Sequence, residues 1–153
     1  MRLVSALLPS AILLPLVILV ACSEPADKTA TTTPATPAPA AILGGVDLNQ
    51  PVRALGTEPF WGVEISGDTM TYTGVDQPDQ RFSAPAPIIQ GTTAVYTAAT
   101  EAGAVMVVTL IVTECSDGMS DRVYPLTAKV EIAKDTRSGC AASEAFLMAT
   151  PAP

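Results

Sequence analysis

The chain has 153 residues, with 8 Lys and Arg against 15 Asp and Glu, a formal net charge of -7 at pH 7, three cysteines and no histidine. The missing imidazole excludes a Ser-His-Asp triad, a Cys-His dyad and any histidine-based zinc site. The acidic balance repels phosphate backbones and anionic headgroups, so nucleic acid is not an expected partner.

Residues 1–21 have the layout of a secretory signal peptide: Arg2 first, an apolar stretch from Leu3 to Val20, and small Ala21 at the end. A retained transmembrane helix competes with this reading, but Pro9 and Pro15 interrupt the run and no basic residue follows before Lys28. Leu19-Val20-Ala21-Cys22 resembles the lipobox of bacterial lipoproteins, in which the cysteine thiol carries diacylglycerol. Cys22 is therefore the expected lipidation site and first residue of the mature protein. Each buried acyl methylene contributes about 0.8 kcal/mol, so two or three chains make a durable membrane tether. Ser23 in place of Asp after the cysteine resembles the signal for sorting to the outer membrane, facing the periplasm.

Residues 22–41 are the lipidated cysteine and a linker rich in Pro, Thr and Ala. Pro25, Pro34, Pro37 and Pro39 deny it helix and strand and leave an extended spacer. Residues 42–153 have the size of a single domain with one modest core. Their pattern is all-β with room for one short helix, and the expected architecture is a small, strongly bent antiparallel sheet or barrel.

Within that domain, Gly56-Thr57-Glu58-Pro59-Phe60-Trp61 comes first, with the chain's only tryptophan. Two readings of it compete. In one, Phe60 and Trp61 floor a ligand groove with Glu58 at its rim; in the other, Trp61 anchors the core and Glu58 accepts hydrogen bonds from a turn. Trp61 to Ile65 alternates, Ser66-Gly67-Asp68 turns the chain, and Met70 to Thr73 returns, which predicts a hairpin. Further strands are expected through Arg81 and Phe82, ended by Pro85 and Pro87, and through Thr93 to Ala98. Ala104 to Thr113 is apolar on both faces and reads as a central strand covered on both sides. Thr127 to Ile132 alternates cleanly and reads as half buried. Ala141 to Met148 suits a helix, with a last strand through Ala145 to Met148 as its competitor.

Between the last two strands, Glu114 to Arg122 is a dense polar motif running on into Val123-Tyr124-Pro125. Ser116-Asp117-Gly118 is turn chemistry, and Asp121 beside Arg122 can pair or cap backbone amides. The competing readings are a structural loop, a ligand or partner site, and a calcium site, the last lacking EF-hand spacing and its terminal glutamate. With Cys22 carrying lipid, Cys115 and Cys140 are an even pair in an oxidising compartment and are expected to form a disulfide.

Gly-Thr-Glu-Pro-Phe-Trp at 56–61, Cys-Ser-Asp-Gly-Met-Ser-Asp-Arg at 115–122, Tyr124-Pro125 and Gly139-Cys140-Ala141 resemble the signatures of a family of proteobacterial envelope lipoproteins that has no agreed activity. Such proteins are grouped loosely with META-domain lipoproteins or membrane-bound lysozyme inhibitors. The resemblance implies export and the Cys115 to Cys140 bridge. The expected function is a non-enzymatic β domain, without metal or cofactor, that binds an envelope protein or a small ligand. Its expected surface is Glu58, Phe60, Trp61, Asp117, Met119, Asp121, Arg122 and Tyr124. Two alternatives stand beside it: an inhibitor of a cell-wall hydrolase, using the 116–122 loop, and a carboxylate-dependent enzyme.

Overall fold

The computed structural model describes residues 40–75 and 77–149. The expected signal peptide, Cys22 and nearly all of the linker lie outside the described residues. A first small hairpin pairs β1 (Ile42–Leu43) with β2 (Val46–Asp47) across Gly44 and Gly45, both at positive φ, where a side chain would be strained.

Eight strands then build a closed antiparallel barrel. In chain order they are β3 (Val52–Thr57), β4 (Phe60–Ser66), β5 (Thr69–Gly74), β6 (Gln77–Ser83), β8 (Thr93–Ala99), β9 (Val105–Ile111), β12 (Leu126–Ile132) and β13 (Asp135–Ser143). Each pairs with the next, and the last strand returns to the first through Cys140 opposite Leu55 and Ser143 opposite Val52. Short excursions interrupt this meander. β7 (Ile88–Gln90) adds to the edge of β8, while β10 (Cys115–Ser116) and β11 (Val123–Tyr124) pair with each other between β9 and β12. The helix α1 (Glu144–Ala149) ends the described chain. Among the described residues no helix is long and apolar enough to cross a membrane.

Alternation aims every second side chain inward. Val63 and Ile65 of β4, Met106, Val108 and Leu110 of β9, and Val130 of β12 are sealed from solvent. Fully burying a side chain of this kind stabilises the fold by about 1.5–3 kcal/mol. Tyr96 also points into this interior. Its hydroxyl has no partner among the described residues, and burial pushes its pKa up to about 12.

Trp61 is buried inside, and its size explains two glycines. A Cβ on Gly56 would overlap the indole nitrogen, and one on Gly139 would overlap the Leu55 backbone carbonyl as well as crowd the indole. Gly56 pairs with Trp61 and Gly139 lies on β13 beside β3, so neighbouring strands omit side chains where the ring lies.

The expected hairpin is β4 and β5, and the expected strand at 127–132 is β12. β9 differs from expectation: Met106, Val108 and Leu110 face the core, whereas Val105 is exposed and Val107, Thr109 and Ile111 are partly covered. A barrel has one interior, so the outer face of β9 is sheltered only by its neighbours. At the chain's end β13 extends through Ser143, and the helix forms from Glu144 instead of the competing strand. The Ser143 hydroxyl accepts a hydrogen bond from the Phe146 amide (3.2 Å), a cap that favours the helix.

Candidate functional site

The turn Glu58–Pro59, whose peptide bond is cis, joins β3 to β4 and pairs Thr57 with Phe60. From there alternation separates the two aromatic residues. Trp61 goes into the core, and Phe60 stands outside, 57 % exposed. Cross-strand register arranges the outer face of β3, β4 and β5 in rows. Leu55, Gly62 and Thr73 form one, and Arg53, Glu64 and Thr71 form the next. Phe60 and Val75 lie beyond them, linked by the Val75 amide donating to the Phe60 carbonyl at 3.3 Å.

Glycine at the centre of this patch leaves a depression. An open groove of about 470 Å³ runs over Gly62 between Leu55, Phe60, Val75, Arg53 and Met119. Trp61 and Asp117 also border it. Gly62 differs from Gly56 and Gly139 in degree: an added Cβ would stand 2.9 Å from the Thr73 hydroxyl oxygen, which would have to shift from its bond to the Gly62 carbonyl, and 3.8 Å from the Ala54 carbonyl, an ordinary contact. Packing therefore resists a side chain here less than at Gly56 or Gly139, where the indole or a backbone carbonyl stands in the way.

Met119 reaches the groove through the second motif. The disulfide between Cys115 and Cys140, with Cα atoms 5.4 Å apart, fastens β10 to the outer side of β13. Cys140 lies opposite Leu55, so the loop after Cys115 arrives beside the groove. The Thr57 hydroxyl then donates to the Asp117 backbone carbonyl at 3.2 Å, joining the two motifs directly.

Asp117 organises that loop. Its Oδ1 accepts from the amides of Met119 (3.0 Å) and Ser120 (2.8 Å), and its Oδ2 from the Tyr124 hydroxyl (2.9 Å) and the Ser120 hydroxyl (2.9 Å). Desolvation pushes the carboxyl pKa up, but the Ser120 and Met119 amides and the Tyr124 and Ser120 hydroxyls outweigh it and hold it at about 2. Tyr124 is buried, and burial followed by its bond to Asp117 raises its own pKa. With Cys140 and Ala142 it forms a second small core on the outside of the barrel, against which Leu55, Phe146 and Leu147 pack. The Arg122 guanidinium lies 5.7 Å from the Tyr124 ring centroid, within cation–π range.

Of the expected surface, Phe60, Asp117 and Met119 come together at the groove, whereas Trp61, though it borders the groove's floor, is 5 % exposed and serves the core, as the second of its two readings had it. Glu58 is exposed at its turn and borders a smaller, more polar cleft with Ser116, Gly118 and Ser138. Tyr124 and Arg122 support the loop from behind, and Asp121 is exposed beyond it. Arg53, Leu55, Gly62 and Val75 were not anticipated. Gly62 had a signal, since its alternation with Glu64 placed a residue without a side chain on the outer face. Among the described residues no group of three or more acidic or cysteine side chains is placed to hold a metal ion.

No family model, curated protein or solved structure matches the chain.

Proposed function

We propose that this chain is a lipid-anchored protein of the bacterial cell envelope, held at the outer membrane and facing the periplasm, whose barrel binds a partner or small ligand in the groove over Gly62. The anchor rests on the sequence around Cys22. The binding role rests on one observation: two motifs about 60 residues apart meet at an open apolar groove, joined by the Thr57 to Asp117 hydrogen bond. The disulfide and the Asp117 network hold the loop in place before any partner arrives, which lowers the entropic cost of binding. Binding fits the chemistry better than catalysis, because the Asp117 carboxylate is engaged by donors of its own loop and titrates far below neutrality.

A photoreactive phenylalanine at Met119, introduced into the full chain in bacterial cells, tests the groove directly. The expected result is a specific adduct from Met119 and none from Lys129 on the exposed face of β12; equal labelling at both positions would overturn the reading. The anchor is tested separately, since Cys22→Ala should abolish labelling of the protein by radioactive fatty acid.

A second reading draws on the same loop. Met119 is 68 % exposed on a segment braced by a disulfide, a form suited to plugging the active site of a cell-wall hydrolase. Purified protein should then slow a lysozyme or lytic transglycosylase, and unchanged turnover across a panel of such enzymes rejects it.

A further inference from the structure

Among the residues bordering the groove, Arg53 is the only cation. Its side chain makes no ion pair or hydrogen bond among the described residues. Glu64 lies directly across from it on β4 but does not border the groove, so the groove itself meets a positive end. Its exposed apolar side chains are Phe60 at 57 %, Val75 at 51 % and Met119 at 68 %, and the Asp117 carboxylate on its border is taken up by the Met119 and Ser120 amides and the Tyr124 hydroxyl. The neighbouring hydroxyls are turned to internal acceptors, Thr57 to the Asp117 carbonyl and Thr73 to the Gly62 carbonyl at 3.4 Å.

Resting on the binding role above, we infer that the groove receives a segment of a partner protein that presents a large apolar side chain beside a carboxylate. The apolar side chain lies over Gly62 between Phe60, Val75 and Met119, and the carboxylate meets Arg53. Glycine inside a strand often marks close approach by another chain, and at Gly62 the interior of the fold presses on a side chain only through Thr73, itself on the groove. Methionine adapts its shape to an incoming group, and arginine and aromatic residues supply most of the energy at protein interfaces. The openness of the groove separates this occupant from a small molecule, which needs a site that encloses most of its surface. The Thr57 and Thr73 hydroxyls already give their protons to backbone carbonyls, so beside Arg53 the groove has few donors for the oxygens of a saccharide. The net charge of -7 disfavours an anionic bilayer surface.

Selection of a library of random 12-residue peptides on the full-length lipidated protein in detergent tests the inference. Enriched peptides should carry Phe, Leu or Trp next to Asp or Glu. A fluorescein-labelled copy of the strongest should bind with an affinity that falls at least tenfold in Gly62→Val, which fills the groove and suits a strand, and in Arg53→Glu. Changing the peptide's acid to Lys should restore binding to Arg53→Glu, which a general loss of structure cannot do. Circular dichroism must show both variants folded; should either unfold, Gly62→Ala and Arg53→Gln take their places in the affinity measurement, where Arg53→Gln should lose its preference for the acidic peptide over one with Gln in place of the acid. No enrichment over the Gly62→Val protein, enriched peptides without an acid, or affinity indifferent to Arg53 would each overturn the inference. So would a fluorescent fatty acid that binds the wild-type groove in place of peptide. A specific Met119 adduct in cells combined with failure of the peptides removes only the occupant named here and leaves the binding role standing.

Discussion

Asp117 is a carboxylate used as a knot. Asp117→Ala removes the acceptor for two amides and two hydroxyls at once, and the expected cost is about 1–3 kcal/mol, read as a lower thermal midpoint. Its depressed pKa also sets an acid limb. The stabilisation is full above the unfolded value of about 3.9 and is lost as pH falls toward about 2. Thermal melts from pH 5 to pH 2 should therefore fall more steeply for the wild type than for Asp117→Ala. Tyr96 predicts the opposite sign: its hydroxyl is buried without a partner, so Tyr96→Phe should leave the melting temperature unchanged or raise it. The glycines separate by role. Gly139→Ala forces a methyl group against the Leu55 carbonyl and the indole and should destabilise by more than about 3 kcal/mol, judged by denaturant titration, whereas Gly62→Ala displaces only the Thr73 hydroxyl and should cost much less. At this scale the motif at 56–61 was readable as important, but the separation of Phe60 from Trp61 depended on the turn position, which fixes the phase of alternation.

Among the elements, β10 and β11 are two residues each and cannot stand alone. The bridge from Cys115 to Cys140 closes a loop of about 25 residues, for which the chain-entropy estimate is on the order of 3 kcal/mol. Replacing both cysteines with serine should remove about that much stability and raise hydrogen exchange first between Ser116 and Tyr124, while the β9 and β12 amides remain protected. This pairing was legible once Cys22 was assigned to lipid, as were β4, β5 and β12, whose apolar residues alternate over a full strand. β3 and β13 were not legible. Their inward positions include Ala54, Gly56, Gly139 and Ala141, small residues that accommodate Trp61 and weaken the apolar pattern, and the first half of β13 is polar. The bilateral apolarity of β9 suggested two covered faces because periodicity cannot tell a central strand in a layered sheet from one in a barrel wall.

Closure belongs to the whole molecule. It joins residues near 52 to residues near 143, a pairing that no local signal encodes, and at the other seam β6 meets β8 through one pair, Ser83 with Ala99. Pro85 and Pro87 follow at once and cannot donate to a ladder. Native-state hydrogen exchange should accordingly be fastest, within the main sheet, along Ser83 to Gln90 and slowest in β9 and β12; uniform protection around the sheet would contradict this. The opposite side of the barrel carries a sense of direction. The β1–β2 hairpin enters beside Val52, and α1 departs there too, its Glu144 amide donating to the Pro51 carbonyl at 2.9 Å. The six residues of β3 span about 20 Å from that end to the turn at Glu58. The hairpin and the helix are thus gathered at the foot of β3, while Phe60 and Met119 crown its head, so a partner seated in the groove leaves that lower end of the barrel uncovered.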